Sequence, residues 1–209
     1  TGGRGELLLE VSPGAVNSQG SPLGVATDLR INEWRGGGDG DDWLELFNLG
    51  DLPVSLRGLY LSDDPSLAGK IKHQIAPLSF VDSKAWVLFQ ADGEPQRGAD
   101  HLSFKLDAQG ETLRLYSTRL NVIDEIQLAL TESGVGSVGR LPDGGLRLVS
   151  FASTERTPAG PNFQSVPGLQ INEVLAYALP PLEPAIEIYN HSGNRIDLSG
   201  SMLGWSATS

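Results

Sequence analysis

The sequence predicts an all-β fold, a β-sandwich of short antiparallel strands, on the basis of three observations. Apolar residues occur in short alternating runs, with the period of two that is typical of half-buried strands. The chain contains 26 Gly and 13 Pro among 209 residues, and both residue types interrupt helices and favour turns. The runs recur roughly every 8 to 12 residues, a spacing typical of sandwiches.

The alternating runs predict nine strands in chain order. They lie at 29–34, 43–48, 54–61, 70–76, 85–90, 102–106, 111–117, 121–128 and 146–151. The runs 102–106 and 111–117 each place alternate apolar residues on one face, and a short Gly-containing connection, DAQG at 107–110, lies between them. We therefore expect these two runs to form a β-hairpin. The run PDGG at 142–145 predicts a tight turn, since Pro presets φ and Gly tolerates positive φ.

The chain also contains an internal repeat. The similar pairs are LRINE at 29–33 and LQINE at 169–173, WLELFN at 43–48 and AIEIYN at 185–190, and VSLRG at 54–58 and IDLSG at 196–200. The offset is 140 residues for the first pair and 142 for the other two. This period is too long for a solenoid, so it predicts tandem domains.

The repeat predicts three segments along the chain. The run SPGAVN at 12–17 is similar to TPAGPN at 157–162, so residues 1–27 are predicted to be the tail of a preceding copy and a linker. Residues 28–164 are predicted to form one complete β-sandwich domain. Residues 165–209 are predicted to hold the first strands of a following copy. We expect them to belong to an incomplete domain of a longer protein, because the 41 residues from 169 to 209, without Cys, bury too little apolar surface to fold alone.

Short motifs between residues 29 and 162 form a set that is informative about family. They are INE at 31–33, WLELFN at 43–48, LRGLYLSDD at 56–64, LSFKL at 102–106 leading to GE at 110–111, ID at 123–124, SVGRLPDG at 137–144 and TPAGPN at 157–162. This set resembles the lamin-tail domain. The resemblance implies an immunoglobulin-like β-sandwich, and tandem copies imply a large bacterial protein that is secreted or located at the cell surface.

Composition excludes several functional classes. A formal net charge of −11 opposes binding to the phosphate backbone of nucleic acids, which depends on Lys and Arg. The absence of Cys excludes disulfides, thiolate zinc sites and thiol catalysis. No run approaches the ~18 apolar residues needed to span a bilayer. We therefore expect no nucleic-acid partner and no membrane span in this chain.

An acidic, Gly-rich stretch is the best candidate for a metal site. Asp39, Asp41 and Asp42 lie in the loop GGGDGDD at 36–42, which departs from the pattern of the lamin-tail family, and Asp63 and Asp64 follow in a later motif. Ca²⁺ binds six to eight oxygens, and Gly allows several to converge. These five acids therefore predict a calcium site, with Ca²⁺ as the one cofactor considered. The alternative is that they are solvated turn residues, which Asp commonly supplies.

The Gly-rich run GVGSVG at 134–139 matches the G-x-G-x-x-G dinucleotide fingerprint. That chemistry needs a helix directly after the glycines, and Pro142 followed by Gly144 and Gly145 opposes one. We therefore interpret the run as a loop without a nucleotide.

Catalytic groups are sparse. The only histidines are His73, His101 and His191, and Ser79 and Ser103 lie near the first two in sequence. Neither serine has the G-x-S-x-G context of a nucleophile elbow. The sequence therefore predicts no catalytic residue and no enzymatic activity in this chain.

The carboxyl group of Glu45 lies in the middle of a predicted strand, and Glu187 repeats that position. A carboxylate here could bind a ligand, but a buried polar group is more often satisfied within the fold. We expect Arg140 to be the partner of Glu45, since a guanidinium can donate two hydrogen bonds to one carboxylate.

The leading hypothesis for function is a non-catalytic interaction or spacer module of a large secreted or surface multidomain protein, which contacts a protein or a cell-surface component and neighbouring repeats of the same protein. The alternative is an accessory domain of a secreted hydrolase, such as a phosphatase, nuclease or polysaccharide-degrading enzyme, whose catalytic residues lie outside this chain. A third possibility, filament or chromatin attachment as in nuclear lamins, is opposed by the absence of heptads and by the acidic charge.

Overall fold

The structure, a computed structural model, describes residues 7–8, 20–37, 42–107, 110–127, 135–198, 201 and 203. The chain divides into two compact units, Thr1–Gln164 and Ser165–Ser209. No helix among the described residues is long and apolar enough to cross a membrane.

Almost all regular structure in the described residues is β-strand. The strands are β1 (Leu7–Leu8), β2 (Gly20–Ser21), β3 (Leu29–Arg35), β4 (Trp43–Asn48), β5 (Val54–Ser55), β6 (Tyr60–Ser62), β7 (His73–Gln74), β8 (Phe80–Val81), β9 (Trp86–Gln90), β10 (Thr112–Tyr116), β11 (Val122–Gln127), β12 (Val135–Arg140), β13 (Leu148–Ala152), β14 (Leu169–Leu175) and β15 (Ala185–Asn190). Three single-turn 3₁₀ helices lie at Ala26–Asp28, Gly69–Ile71 and Pro95–Arg97. The prediction of an all-β chain is confirmed.

Two antiparallel sheets contain most of the strands of the larger unit. One has five strands in the order β13-β12-β3-β4-β9, and the other has four in the order β11-β10-β6-β7. The hydrophobic core takes side chains from both sheets, with Ile31 and Leu44 from the first and Leu61 and Leu113 from the second, all fully buried. The short pair β5-β8 contributes Val54 and Val81 to the same core.

The predicted hairpin between 102–106 and 111–117 is wrong. Strand β10 pairs instead with β11 on one side and β6 on the other. Leu102, Phe104 and Leu106 do alternate into the core, but the segment makes only isolated bridges at its ends, Gln90 with His101 and Asp92 with Lys105. An extended segment that buries every second side chain has the sequence pattern of a strand even where its backbone joins no ladder.

The Gly-rich run at 134–139 is also different from its prediction. Residues 135–140 form strand β12, which lies between β3 and the edge strand β13 of the five-stranded sheet. Small residues are required there because the neighbouring backbones approach closely. A Cβ on Gly139 would lie 2.8 Å from the Asn32 carbonyl oxygen, and one on Gly136 would lie 2.5 Å from Ser153 Cα. Close packing therefore accounts for these two glycines.

The smaller unit is built around one hairpin, β14-β15, whose geometry reproduces that of β3-β4. In the larger unit Leu29 pairs with Asn48, and an irregularity follows Ile31 before Glu33 pairs with Glu45. In the smaller unit Leu169 pairs with Asn190, and the same irregularity follows Ile171 before Glu173 pairs with Glu187. The two hairpins therefore share one register and one bulge, at the offsets of the sequence repeat.

The two hairpins differ in burial. Ile31 and Leu44 are fully buried, whereas their equivalents Ile171 and Ile186 are 54% and 48% exposed. All of the side chains of β15 are exposed. The same apolar pattern therefore contributes to a core in one unit and faces solvent in the other.

A matched pair of substitutions measures this difference. We expect Ile31→Ala to lower the free energy of unfolding of the larger unit by about 2 to 5 kcal/mol, because it removes a fully buried side chain. We expect Ile171→Ala to change it by less than about 0.5 kcal/mol. Urea unfolding followed by the fluorescence of Trp34 and Trp43, both buried in the larger unit, gives both values. Similar losses in the two variants would contradict the burial described above.

Candidate functional site

Two glutamates lie directly opposite each other across β3 and β4. Glu33 pairs with Glu45 in the register, and both are 0% exposed. The bulge after Ile31 explains their position. Ile31 and Trp34 both point into the core although they are three residues apart, so the extra residue, Asn32, moves Glu33 to the other face of the sheet. The sheet thereby holds two buried carboxyl groups on the face opposite its core.

Donors from β12 and from the segment 157–162 bind these carboxyl groups. Ser137 Oγ donates to Glu33 Oε1 at 2.5 Å, and Thr157 Oγ1 lies 3.2 Å from Glu33 Oε2. The backbone N–H of Ala159 donates to Glu45 Oε2 at 2.6 Å. The motif TPAGPN at 157–162 is therefore hydrogen-bonded to the β3-β4 hairpin through the two glutamates.

A third acid, Asp143, joins the same network. Its Oδ1 accepts hydrogen bonds from Asn32 Nδ2 at 2.7 Å, from Trp86 Nε1 at 3.3 Å and from the Asn162 backbone N–H at 3.2 Å. Asn32 also donates to Glu45 Oε1 at 3.0 Å and accepts from the Gly144 N–H at 2.8 Å. Asn32, the bulged residue, thus connects the hairpin to the 142–145 turn. We call Asn32, Glu33, Glu45, Ser137, Asp143, Thr157, Ala159 and Asn162 the carboxyl network.

Burial dominates the electrostatics of this network. Desolvation raises the pKa of Glu45 to about 8, and the charges of Glu33 and Asp143 add to that increase. Desolvation also raises the pKa of Glu33 and of Asp143, although their hydrogen-bond donors act in the opposite direction. The three acids therefore hold protons more readily than ordinary carboxyl groups.

The predicted partner of Glu45 is wrong. Arg140 binds Asp124 instead, with Nη2 at 3.1 Å from Oδ1 and 3.0 Å from Oδ2. The same guanidinium donates to the carbonyl oxygens of Ile31 and Gly145, and Asp124 accepts from the Ile31 N–H at 2.8 Å. Arg140 therefore hydrogen-bonds one carbonyl beside the bulge, that of Ile31, and one in the 142–145 turn, that of Gly145. The donors to Glu45 are the side-chain amide of Asn32 and the backbone N–H of Ala159.

The acids of the predicted calcium site lie in different surroundings. Asp39 and Asp41 lie outside the described residues. Asp42 Oδ1 accepts from the Gly37 N–H at 3.0 Å, Asp63 forms a salt bridge with Lys72 at 2.5 Å, and Asp64 accepts from the Ser66 N–H at 2.8 Å. Within the described ranges, no group of three or more His, Cys, Asp or Glu side chains has a geometry that could hold a metal ion.

The calcium hypothesis predicts a concentration-dependent rise in melting temperature, because an ion that binds only the folded state stabilises it by mass action. At 100 times the dissociation constant the gain is about 2.7 kcal/mol. Thermal melts in millimolar Ca²⁺ and isothermal calorimetry test it, with the double variant Asp39→Asn/Asp41→Asn as control. An unchanged melt together with no heat of binding would exclude the site.

The histidines have structural contacts. His73 Nδ1 accepts a hydrogen bond from the backbone N–H of Ser103 at 3.1 Å, while the Ser103 hydroxyl donates to the Lys72 carbonyl. His101 Nδ1 lies 2.7 Å from Asp92 Oδ2, which also pairs with Arg97. Ser103, which is close to His101 in sequence, thus contacts His73 through its backbone, and its hydroxyl is directed to a backbone oxygen. Burial lowers the pKa of His73, so its neutral form is favoured.

Sequence reasoning identified Glu45 but missed most of the carboxyl network. Asn32 and Glu33 carried a usable signal, since both recur as Asn172 and Glu173 in the internal repeat. Asp143 was interpreted only as a turn residue. Its role depends on a contact 111 residues away in sequence, which no local pattern reports.

Comparisons with known proteins do not assign this chain to a family. A scan against models of known protein families finds no match. A search of curated proteins finds no significant relative.

Proposed function

We propose that residues 28–164 form an immunoglobulin-like β-sandwich of the lamin-tail type, which acts as a non-catalytic interaction or spacer module in a large secreted or surface-attached bacterial protein. The proposal draws on the motif set between residues 29 and 162 and on the core shared by two antiparallel sheets. Its partners would be proteins or components of the cell surface.

The proposal that this module is not catalytic rests on the hydrogen bonds that its buried acids make. Glu33, Glu45 and Asp143 are the side chains whose burial and raised pKa most resemble those of catalytic acids. Their oxygens accept hydrogen bonds from Ser137, Ala159 and Asn162, which belong to the parts of the chain that close the fold. Because these hydrogen bonds join the β3-β4 hairpin and the 142–145 turn to β12 and to the segment 157–162, we assign the three acids a role in stabilising the fold.

A spacer module in a tandem array also accounts for the recurrence of the hairpin. The contacts after β4 recur after β15. Asn48 Nδ2 donates to the Leu52 carbonyl at 2.9 Å, and Asn190 Nδ2 donates to the Asn194 carbonyl at 2.7 Å. The Gly50 and Ser192 N–H groups donate to the Oδ1 of the same two asparagines. This agreement in side-chain detail supports the interpretation of residues 165–209 as part of a second domain of the same type.

Assays for hydrolysis test the non-catalytic proposal. We expect the purified chain to produce no turnover above background on ester, phosphodiester and glycoside substrates. Turnover that His73→Ala or His101→Ala abolishes, while the surface substitution His191→Ala leaves it unchanged, would overturn the proposal.

A further inference from the structure

The hydroxyl group of Thr157 lies between two oxygen atoms. Its Oγ1 is 2.7 Å from Asn162 Oδ1 and 3.2 Å from Glu33 Oε2. A threonine hydroxyl has one hydrogen, so it can donate to only one of these two atoms. The direction in which it donates therefore determines whether Glu33 must supply a proton of its own.

The side-chain amide of Asn162 settles this direction. Asn162 Nδ2 donates to the Arg140 carbonyl oxygen at 2.9 Å. The amide nitrogen is thereby placed toward Arg140, and the amide oxygen, which can only accept, is the atom that faces Thr157. Thr157 thus donates its one hydrogen to Asn162, across the shorter of its two distances.

The contact between Thr157 and Glu33 then needs a proton from Glu33, which is 0% exposed. Without one, two oxygen atoms 3.2 Å apart in a buried position present lone pairs to each other. In a protonated carboxyl group the O–H donates to Thr157, while the other oxygen still accepts from Ser137. The result is a continuous chain of hydrogen bonds from Glu33 through Thr157 and Asn162 to the Arg140 carbonyl oxygen.

The charged groups around Glu33 also favour its neutral form. Glu45 lies directly opposite on β4, and a negative charge on Asp143, in the 142–145 turn, opposes ionisation of Glu33. The cations of the surrounding elements interact with other groups, namely Arg35 of β3 with Asp42, Arg140 of β12 with Asp124, and Arg156 with the Ser153 carbonyl oxygen. Burial of Glu33 is therefore opposed by its hydrogen-bond donors rather than by a counter-charge.

We infer that Glu33 is a protonated carboxylic acid in the folded chain, and that its proton keeps the segment 157–162 closed on the β3-β4 hairpin. When Glu33 ionises, the Thr157 hydrogen turns to Glu33 Oε2, and the hydrogen bond that joins the first and last residues of the segment is lost. The segment, which lies at the C-terminal end of the larger unit, then opens more readily.

The sign of the pH dependence follows from the pKa of Glu33, which burial raises above the ordinary value of 4.5. Closure is fully present below about pH 4.5 and is lost as pH rises through the folded pKa.

The proton can be observed in the unaltered protein. In a chain labelled with ¹³C and ¹⁵N, the carboxyl carbon of Glu33, assigned through its own side chain, should have the chemical shift of a protonated acid at about pH 6. A glutamate with the ordinary pKa of 4.5 is almost fully ionised at that pH. The chemical shift of an ionised carboxylate at this pH would overturn the inference.

The variant Glu33→Gln tests whether that proton closes the segment, because its amide N–H can donate to Thr157 and does not ionise. Hydrogen exchange of Ala159 and Asn162, whose N–H groups bind the other two acids, reports opening. At about pH 4 we expect protection factors within about threefold of those of the unaltered protein. From about pH 4.5 to the folded pKa of Glu33, protection in the unaltered protein should fall more steeply than in Glu33→Gln, by up to about tenfold per pH unit. Equal slopes in the two proteins would contradict the role of the proton.

A matched pair of substitutions at Thr157 tests the chain of hydrogen bonds. Thr157→Val removes the hydroxyl at nearly constant volume and should lower the protection factor of Asn162 by about tenfold or more at about pH 4. Thr157→Ser keeps the hydroxyl and should change it by less than about threefold. Equal protection in the two variants would show that the Thr157 hydroxyl does not close the segment, and would overturn the inference.

Discussion

Replacing Arg140 with alanine should lower the free energy of unfolding of the larger unit by about 3 to 5 kcal/mol, the usual cost of removing one partner from a buried ion pair. The Arg140 and Asp124 side chains are only 6% and 12% exposed. The substitution leaves the Asp124 carboxylate buried without its counter-charge, and it removes the donor to the Ile31 and Gly145 carbonyls.

Urea unfolding followed by tryptophan fluorescence measures this loss. Arg119→Ala provides the control, since Arg119 lies in an exposed turn, and we expect it to change stability by less than about 0.5 kcal/mol. Arg140→Lys should retain only part of the stability, because an ammonium lacks the planar fork that binds two carboxylate oxygens. A loss below about 1 kcal/mol for Arg140→Ala, as for a surface pair, would contradict the structural role of Arg140.

Stability should also fall as pH rises through the range in which Glu45 ionises. Its folded pKa is raised to about 8 from an ordinary value of 4.5, so the folded state keeps a proton that the unfolded chain has released. The stabilisation is fully present below about pH 4.5 and is lost as pH rises through 8. The slope for this one group reaches about 1.4 kcal/mol per pH unit. Glu33 and Asp143, whose pKa values are raised too, act in the same direction.

The variant Glu45→Gln isolates this contribution, because its amide does not ionise. His73 acts in the opposite direction. Its pKa is lowered, so its contribution is present at neutral pH and is lost as pH falls through the folded pKa. Both proteins contain His73, and the difference between their urea midpoints at pH 5, 6, 7 and 8 therefore reports Glu45. We expect a flatter profile for Glu45→Gln. Parallel profiles would show that Glu45 titrates normally in the folded state.

The strands that were predictable are those in which alternation and turn residues coincide. The run WLELFN at 43–48 predicts a strand because Leu44 and Leu46 alternate with the residues around them, and β4 has the predicted bounds. Residues 102–106 were misassigned because alternate burial is common to strands and to extended loops. Strand β12 was missed because its glycines, which close packing requires, also form the pattern of a loop.

The carboxyl network was less predictable than the strands. Asn32 and Glu33 recur in the repeated INE motif, but the sequence analysis assigned them no role. The bulge is visible in the sequence only as one change of apolar spacing, from two residues between Leu29 and Ile31 to three between Ile31 and Trp34. Arg140 was assigned to the wrong acid for a related reason. Several carboxyl groups in the sequence could accept its guanidinium, and only the fold brings Asp124 and the Ile31 carbonyl to the same place.

Hydrogen exchange of the monomeric chain is the most direct test of the central claim. The claim is that the β3-β4 hairpin is buried in the larger unit, whereas the equivalent β14-β15 hairpin is exposed in the smaller unit. A two-stranded hairpin is only marginally stable by itself in water. We expect the amides of Leu29–Arg35 and Trp43–Asn48 to exchange only through global unfolding, and those of Leu169–Leu175 and Ala185–Asn190 to exchange far faster, through local opening. Equal protection of the two hairpins would contradict the claim.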